Sequence, residues 1–103
     1  MYDTIEERIG GLPEVCTKHR VRSLALFGSV LSDRFDPTES DVDVLVEFGE
    51  MPISKRAHHY FGLQEDLEQL FGFPVDIVEP SALDNPYLKK SIEQSRLVVY
   101  EAV

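Results

Sequence analysis

The segment GSVLSDRFDPTESDVDVLVEF, residues 28–48, predicts a turn, a loop and a strand in succession. Within it, DVDVLVEF predicts a strand over residues 41–48, in which side chains two positions apart share a face. One face is uniformly apolar and is expected in the core: Val42, Val44, Val46 and Phe48. The opposite face begins with two carboxylates, and its residues are Asp41, Asp43, Leu45 and Glu47. A strand that opens on two acids needs a further explanation.

Helix-like and strand-like segments alternate along the whole chain. Further strands are predicted over residues 21–27, 74–80 and 97–100. Helices are predicted over residues 3–9, 13–19, 54–71 and from Pro86 onward, with a short helix just after Gly28. This alternation predicts an α/β or α+β fold with helices packed on a small sheet. Residues 1–103 are expected to form a single domain.

Details of the predicted helices follow from their caps and spacing. Thr4, Ser54 and Asn85 are expected as N-terminal caps. Leu88 and Ile92 are expected to face inward. One face of the longest helix follows a three-four spacing and is expected on the sheet: Ala57, Tyr60, Phe61, Gln64, Leu67, Leu70 and Phe71.

Composition excludes several classes of protein. The net charge of −9 opposes direct binding of nucleic acid, because a phosphate backbone would be repelled by the average surface. No apolar run is long enough to cross a membrane, and the acidic N-terminus lacks the pattern of a signal peptide. The single cysteine, Cys16, excludes an internal disulfide and a cysteine-cluster zinc site, and is expected to be buried. We therefore expect a cytoplasmic protein.

Asp41 and Asp43 are candidate metal ligands. Two carboxylates about 6–7 Å apart along one strand raise each other's pKa unless a positive charge lies between them. A hard divalent ion such as Mg²⁺ prefers carboxylate oxygens and keeps water or phosphate as its remaining ligands. Taken alone, the pair is equally compatible with ordinary surface acids at a strand end.

Two further features point to the same chemistry. Gly28-Ser29, between strand and helix, is suited to holding a phosphate through backbone N–H groups and a hydroxyl, although a tight turn with a serine cap is an alternative. Asp76 lies within the apolar segment PVDIV, where an acid is costly unless it is paired or ligated, although an edge-strand residue facing water is an alternative. Together these residues predict two-metal nucleotidyl transfer, in which bound cations neutralise a triphosphate and few basic residues are needed.

The same residues carry a family resemblance. GSVLSDRFDPTESDVDVLVEF, the later VDIVEPSAL and the final VVYEAV resemble the minimal nucleotidyltransferases of the DNA polymerase β superfamily, the MntA-type antitoxins. This resemblance covers the chain from about Val21 to its end. It implies the polymerase β-like palm fold, with a HEPN-domain ribonuclease toxin (HepT) as partner.

The resemblance also assigns roles to individual residues. Gly28 and Ser29 would hold the β- and γ-phosphates of ATP, and Asp41 and Asp43 would ligate Mg²⁺. Asp76 would complete the metal site and help to deprotonate the attacking hydroxyl. The implied reaction transfers AMP from ATP to a tyrosine of the toxin, releases pyrophosphate and silences the toxin.

Two departures from the family pattern are visible. The spacer Val30–Ser40 has eleven residues, one more than is usual, and Ser32 stands where an arginine is common. Arg34 is a candidate replacement for that charge, from a position that is not equivalent. A non-catalytic acidic module that occludes a basic partner therefore stays open as an alternative. A third interpretation, an enzyme that adds nucleotides to RNA, is opposed by the net charge.

The remaining candidate residues are expected to contribute to structure rather than to chemistry. His58 and His59 are neighbours on the longest predicted helix and point about 100° apart, so they are expected on a solvated or interface surface. Tyr60 and Tyr87 are expected in packing or an interface. Glu47 shares the face of the aspartates but is expected, at most, to position other groups.

Overall fold

The structure, a computed structural model, describes residues 1–103 and contains four helices, four strands and three 3₁₀ turns. The helices are α1 (Asp3–Arg8), α2 (Leu12–Lys18), α3 (Ile53–Phe71) and α4 (Pro86–Ser95). The strands are β1 (Val21–Phe27), β2 (Val42–Phe48), β3 (Val75–Val78) and β4 (Leu97–Glu101). The 3₁₀ turns span Ile9–Gly11, Gly28–Leu31 and Pro80–Ala82. The predicted alternation of helices and strands is confirmed.

The strands form one mixed sheet in the order β3-β2-β1-β4. β1 is antiparallel to both β2 and β4, whereas β2 and β3 are parallel. Parallel neighbours need a crossover connection, and α3 supplies it. As a consequence, the end of β1 and the beginnings of β2 and β3 meet at one edge of the sheet.

The two faces of the sheet are covered unequally. The larger core lies between one face and the helices α1, α2 and α3, and its strand residues include Leu24, Leu26, Val42, Val44 and Val46. The other face holds a small cluster in which Ile92 of α4 packs against Ala25 and Leu45. The prediction that the valines of β2 face the core is confirmed, and Phe48 is half-buried beside them. The aspartates therefore lie on the thinly covered face, next to α4.

The helix caps differ from expectation in two of three cases. Asn85 caps α4 as predicted, since its Oδ1 accepts hydrogen bonds from the backbone N–H groups of Tyr87 (2.9 Å) and Leu88 (3.3 Å). The prediction for Thr4 is wrong because α1 starts at Asp3, after Tyr2, and Thr4 already lies inside the helix. Ser54 is likewise already inside α3, which follows Pro52 and has no side-chain cap.

The buried face of α3 agrees with the prediction at Leu67 and Phe71 but differs from it at three other positions. Leu63, Leu67 and Phe71 are fully buried, whereas Phe61 is 64% exposed and Ala57 is also exposed. The prediction missed Leu63 because the polar residues around it obscured the spacing. In α4, Ile92 is buried as predicted, but Leu88 is 49% exposed and that prediction is wrong. No helix of the chain combines the length and apolar character needed to span a membrane.

Candidate active site

The predicted acidic residues meet where β1 ends and β2 and β3 begin. In the sheet register, Asp43 pairs with Phe27 across the antiparallel ladder and with Asp76 across the parallel one. Neighbouring strands lie about 4.8 Å apart, so Asp43 and Asp76 occupy adjacent positions on one face. Asp41 precedes β2 by one residue. The structure therefore brings together Asp43 of β2, Asp41 just before it, and Asp76 of the sequence-distant strand β3.

Gly28 lies directly against the carboxylate of Asp43. Its φ is +76°, a conformation that favours glycine, and it starts the 3₁₀ turn Gly28–Leu31. A Cβ atom at this position would lie 2.5 Å from Asp43 Oδ2. The predicted helix after Gly28 is thus only a single 3₁₀ turn. The absence of a side chain at Gly28 leaves the room that the carboxylate of Asp43 occupies. Ser29 follows within the same turn and is half-buried.

The electrostatics of the acidic edge are unbalanced. Burial raises the pKa of Asp43 above its ordinary value, and the charges of Asp76 and Asp41 raise it further. None of the four ion pairs in the chain involves any of these three aspartates. Asp41 and Asp76 are exposed and Asp43 is half-buried, so the ionised form of Asp43 is the most destabilised of the three. The site holds negative charge without a cation from the protein.

Asp76 is exposed for a reason that corrects the sequence argument. It lies on β3, which is an edge strand of the sheet, so the argument from burial is wrong and the edge-strand interpretation is right. Its place beside Asp43 comes from the register of the parallel ladder. Exposure leaves this carboxylate accessible to a ligand.

The loop before Asp41 is held by packing and by a local turn. Phe35 is buried, and its ring centroid lies 4.7 Å from that of Tyr2 and 5.2 Å from that of Phe73. Asp36 Oδ1 accepts hydrogen bonds from the backbone N–H of Thr38 (2.9 Å) and its hydroxyl (2.8 Å), which lower the pKa of Asp36. The extra spacer residue therefore falls in an ordered turn, and sequence analysis missed the anchoring role of Phe35.

The side chains at the acidic edge are carboxylates, the type of ligand that hard divalent metals prefer. No group of three or more His, Cys, Asp and Glu side chains in the chain is arranged to hold a metal ion. The ligand type nevertheless fits Mg²⁺, because this ion prefers carboxylate oxygens and keeps water or phosphate as its remaining ligands. The mutual repulsion that raises the pKa of Asp43 would be relieved by a bound cation. Asp41, Asp43 and Asp76 are the residues that would hold such an ion.

The other sequence candidates make no hydrogen bond or ion pair with the three aspartates. Arg34 is exposed in the loop before Asp41. Its backbone N–H donates a hydrogen bond to Ser32 Oγ at 3.1 Å. Glu47 forms an ion pair with Arg22 at 3.2 Å.

Cys16 is buried as predicted, and burial raises the pKa of its thiol to about 12. Tyr60 packs beneath β3, where its hydroxyl donates to the carbonyl of Ile77 at 3.1 Å, whereas Tyr87 is 85% exposed.

The acidic edge is an open surface rather than an enclosed cavity. The largest cavity, about 770 Å³, lies at the other end of β1 and β2 and is lined by Arg20, Arg22 and Arg56 among others. None of the cavities is lined by the three aspartates. A ligand at the acidic edge would thus be held by surface groups and would stay accessible to a second protein.

Fold and site together define a nucleotidyltransferase. The chain belongs to the nucleotidyltransferase domain family, whose pattern it matches over residues 11–99. The predicted fold and the resemblance to minimal nucleotidyltransferases are confirmed, as is the prediction of an enzyme of this class.

The chain is similar to several individual proteins of this family. The chain is 45% identical over 83 residues to a Methanocaldococcus jannaschii protein named as a protein adenylyltransferase, covering 80% of each chain. It is 34% identical over 87 residues to protein adenylyltransferase MntA of Thermococcus cleftensis, covering 84% of this chain and 81% of that protein. A solved minimal nucleotidyltransferase superposes with a TM-score of 0.74 at 29% identity, covering 92% of each chain.

Toxin–antitoxin complexes share the fold at lower identity. A tri-AMPylated Shewanella oneidensis HEPN toxin in complex with an MNT antitoxin matches with a TM-score of 0.63 at 14% identity. A toxin–antitoxin structure with AMP-PNP matches with a TM-score of 0.66 at 15% identity. At these identities the similarity establishes the fold alone.

Proposed function

We propose that the chain is a Mg²⁺-dependent protein adenylyltransferase that transfers AMP from ATP to a tyrosine of a HEPN-domain toxin, and so acts as a cytoplasmic antitoxin. The observation that carries the proposal is the meeting of Gly28, Asp43 and Asp76 at one edge of the sheet. Relatives named as protein adenylyltransferases support protein as the acceptor. The complexes with AMP-PNP and with a HEPN toxin support ATP and the partner.

The proposed chemistry assigns each residue a role. The backbone N–H groups of the turn that Gly28 starts would hold the phosphates of ATP, and the Ser29 hydroxyl would donate a hydrogen bond to them. Asp76 accepts the proton of the tyrosine hydroxyl, whose oxygen then bonds to the α-phosphorus while pyrophosphate leaves. Mg²⁺ held by Asp41, Asp43 and Asp76 would neutralise charge on the attacking and leaving oxygens.

The open acidic edge is suited to a protein acceptor. An enclosed pocket would exclude a tyrosine carried on another protein, whereas here Asp41 and Asp76 are exposed and Asp43 is half-buried. Arg34, exposed in the loop before Asp41, is the proposed source of positive charge toward the nucleotide in place of the usual arginine. The acidic average surface also favours a basic protein over nucleic acid.

The second candidate is an acidic module that blocks the toxin without chemistry. It is favoured by Ser32 in place of the usual arginine and by the lack of a closed set of metal ligands. Complementary charge alone can direct such an association.

ATP labelled at the α-phosphate separates the two candidates. Incubation with Mg²⁺ and the HEPN-domain protein encoded beside this chain is expected to label the tyrosine of that protein. ATP labelled at the γ-phosphate should leave no label, because pyrophosphate departs. A stable complex in which neither nucleotide labels the partner would overturn the enzymatic proposal and favour occlusion.

A further inference from the structure

All three histidines of the chain gather on the side of the molecule where α2 meets α3, away from the acidic edge. His19 follows α2, and His58 and His59 belong to α3. The Nδ1 atoms of His19 and His59 lie 3.3 Å apart, with their rings at 76°. Two ring nitrogens that face each other can share one proton or can bind one metal ion.

Asp66 fixes the chemical state of His19. Its Oδ2 lies 2.7 Å from His19 Nε2 and also accepts a hydrogen bond from Lys18 Nζ at 3.0 Å. Because an ionised carboxylate only accepts hydrogen bonds, Nε2 carries a proton, and neutral His19 presents the bare lone pair of Nδ1 toward His59. A carboxylate behind an imidazole is the arrangement that orients metal-binding histidines.

The position of the His19 ring is built into the fold. The residue is 3% exposed, and its ring lies against the backbone of α3 at Gly62. A Cβ atom on Gly62 would lie 2.7 Å from His19 Cε1 and 3.3 Å from Nδ1. Glycine at this position in the helix therefore leaves room for the imidazole edge that faces His59.

Charges of both signs lie around the histidine pair. Lys18, Arg20 and Lys55 carry positive charge near it. A neutral imidazole keeps one ring nitrogen free as a ligand. The surrounding cations oppose a bound dication, whereas Asp66 supplies negative charge behind His19.

We propose that His19 and His59 bind one divalent transition-metal ion of the Zn²⁺ type through their Nδ1 atoms, with Asp66 as a positioning residue. Two Zn–N bonds of about 2.0–2.1 Å at a tetrahedral angle place the nitrogens about 3.3–3.4 Å apart, close to the separation found here. Since no three protein ligands converge in the chain, water completes the coordination. Imidazole selects Zn²⁺, Ni²⁺ or Cu²⁺ over Mg²⁺, which separates this site from the acidic edge.

The test is calorimetric titration of the untagged protein with ZnCl₂ in a buffer that contains Mg²⁺ and no nucleotide. One ion per chain is expected to bind. Loss of one of the two ligands in His59→Gln should weaken binding by at least about tenfold. The comparison variant is His58→Gln, which removes the exposed imidazole whose ring centroid lies 5.1 Å from that of His59. It should weaken binding less than His59→Gln does, because His58 makes no hydrogen bond to either proposed ligand.

Asp66→Asn supplies a second measurement. Loss of the carboxylate behind His19 is expected to weaken Zn²⁺ binding by about tenfold or more. Circular dichroism spectra that match the wild-type spectrum would show that each variant is folded. Absence of Zn²⁺ uptake by the wild-type protein, or equal affinity in His59→Gln, would overturn the proposal and leave the imidazoles joined by a hydrogen bond only. An equal loss in His58→Gln would also overturn it, because the ion would then lie on the outer surface of α3.

Discussion

Gly28 and Asp43 constrain each other more tightly than any other pair at the acidic edge. The carboxylate oxygen of Asp43 occupies the space that a side chain at position 28 would need. The positive φ of Gly28 adds a second requirement for glycine. The turn after β1 is therefore specified by both sterics and backbone conformation.

Substitution Gly28→Ala tests this constraint. We expect a loss of about 1–2 kcal/mol in the free energy of unfolding, because alanine disfavours the left-handed region. Displacement of Asp43 should abolish adenylyl transfer as well. The matched control is Gly10→Ala, since a Cβ at Gly10 meets nothing within 4 Å, and it should retain both stability and activity. Chemical denaturation and the labelling assay measure the two effects, and similar behaviour of both variants would contradict the account.

Substitution Asp43→Asn should separate stability from function. The pKa of Asp43 is raised in the folded state, so its charged form opposes folding once the pH exceeds that pKa. The neutral isostere should therefore raise the melting temperature at neutral pH without Mg²⁺, while transfer activity is lost. Wild-type protein should gain more thermal stability from Mg²⁺ than the variant does. A lower melting temperature for Asp43→Asn would contradict the assigned repulsion.

At the scale of residues, sequence patterns located the acids but did not establish how they meet. Alternation along β2 placed Asp43 opposite the buried valines, and the structure agrees. The neighbourhood of Asp43 and Asp76 depends on the register between strands that are separated by α3, and register is not a local property of sequence. The histidine pair had no sequence signal, because His19 and His59 are forty residues apart.

At the scale of elements, α4 is the cover of the face that holds the site. Its residue Ile92 is the helix's only buried side chain and packs on Ala25 and Leu45. Leu45 is two residues from Asp43 and shares its face of β2. The cap of α4 therefore stabilises an element that borders the acidic edge.

The substitution Asn85→Ala removes that cap. It should cost about 0.5–2 kcal/mol in the free energy of unfolding, because two backbone N–H groups lose their acceptor. Ser54→Ala is the control, because Ser54 lies inside α3 and caps nothing. Thermal melts of both variants measure the difference, and an equal loss in Ser54→Ala would contradict the assigned caps.

Element types were easier to predict than their faces and ends. Glycine and proline punctuation marked the strands and the end of α3, where Gly72 adopts a φ of +79°. The length of the helix after Gly28 was overestimated, because the local sequence does not show that only one 3₁₀ turn forms there. The buried face of α3 was predicted wrongly at Phe61, which is apolar but exposed to solvent. Burial depends on partners that a local pattern does not contain.

At the scale of the whole molecule, stability should depend on pH through the cluster of His19, His59 and Asp66. The pKa of His59 is lowered by burial and neighbouring cations, and that of Asp66 by hydrogen bonds from His19 and Lys18. Both groups bind protons less readily when folded, so acidification favours unfolding. The contribution of His59 is lost as the pH falls below its ordinary pKa of 6.5, and that of Asp66 below 3.8.

Melting temperatures between about pH 7 and pH 5.5 test the contribution of His59. Acidification also reduces the net charge of −9, which acts in the opposite direction, so the comparison is between variants. His59→Gln should show a smaller loss on acidification than wild type. His58→Gln should fall between the two, because it removes only one of the charges that lower the pKa of His59. Parallel pH profiles for wild type and His59→Gln would contradict the assignment.

We propose that the acids at the edge of β1, β2 and β3 carry out nucleotidyl transfer. The most direct measurement is the rate at which label from the α-phosphate of ATP enters the HEPN-domain partner, compared between Asp43→Asn and Glu47→Gln. Glu47 is the matched acid on the same strand and face, paired with Arg22 instead. We expect Asp43→Asn to lose activity by about 100-fold or more and Glu47→Gln to stay within about threefold of wild type. Undiminished transfer in Asp43→Asn, or an equal loss in both variants, would contradict the account.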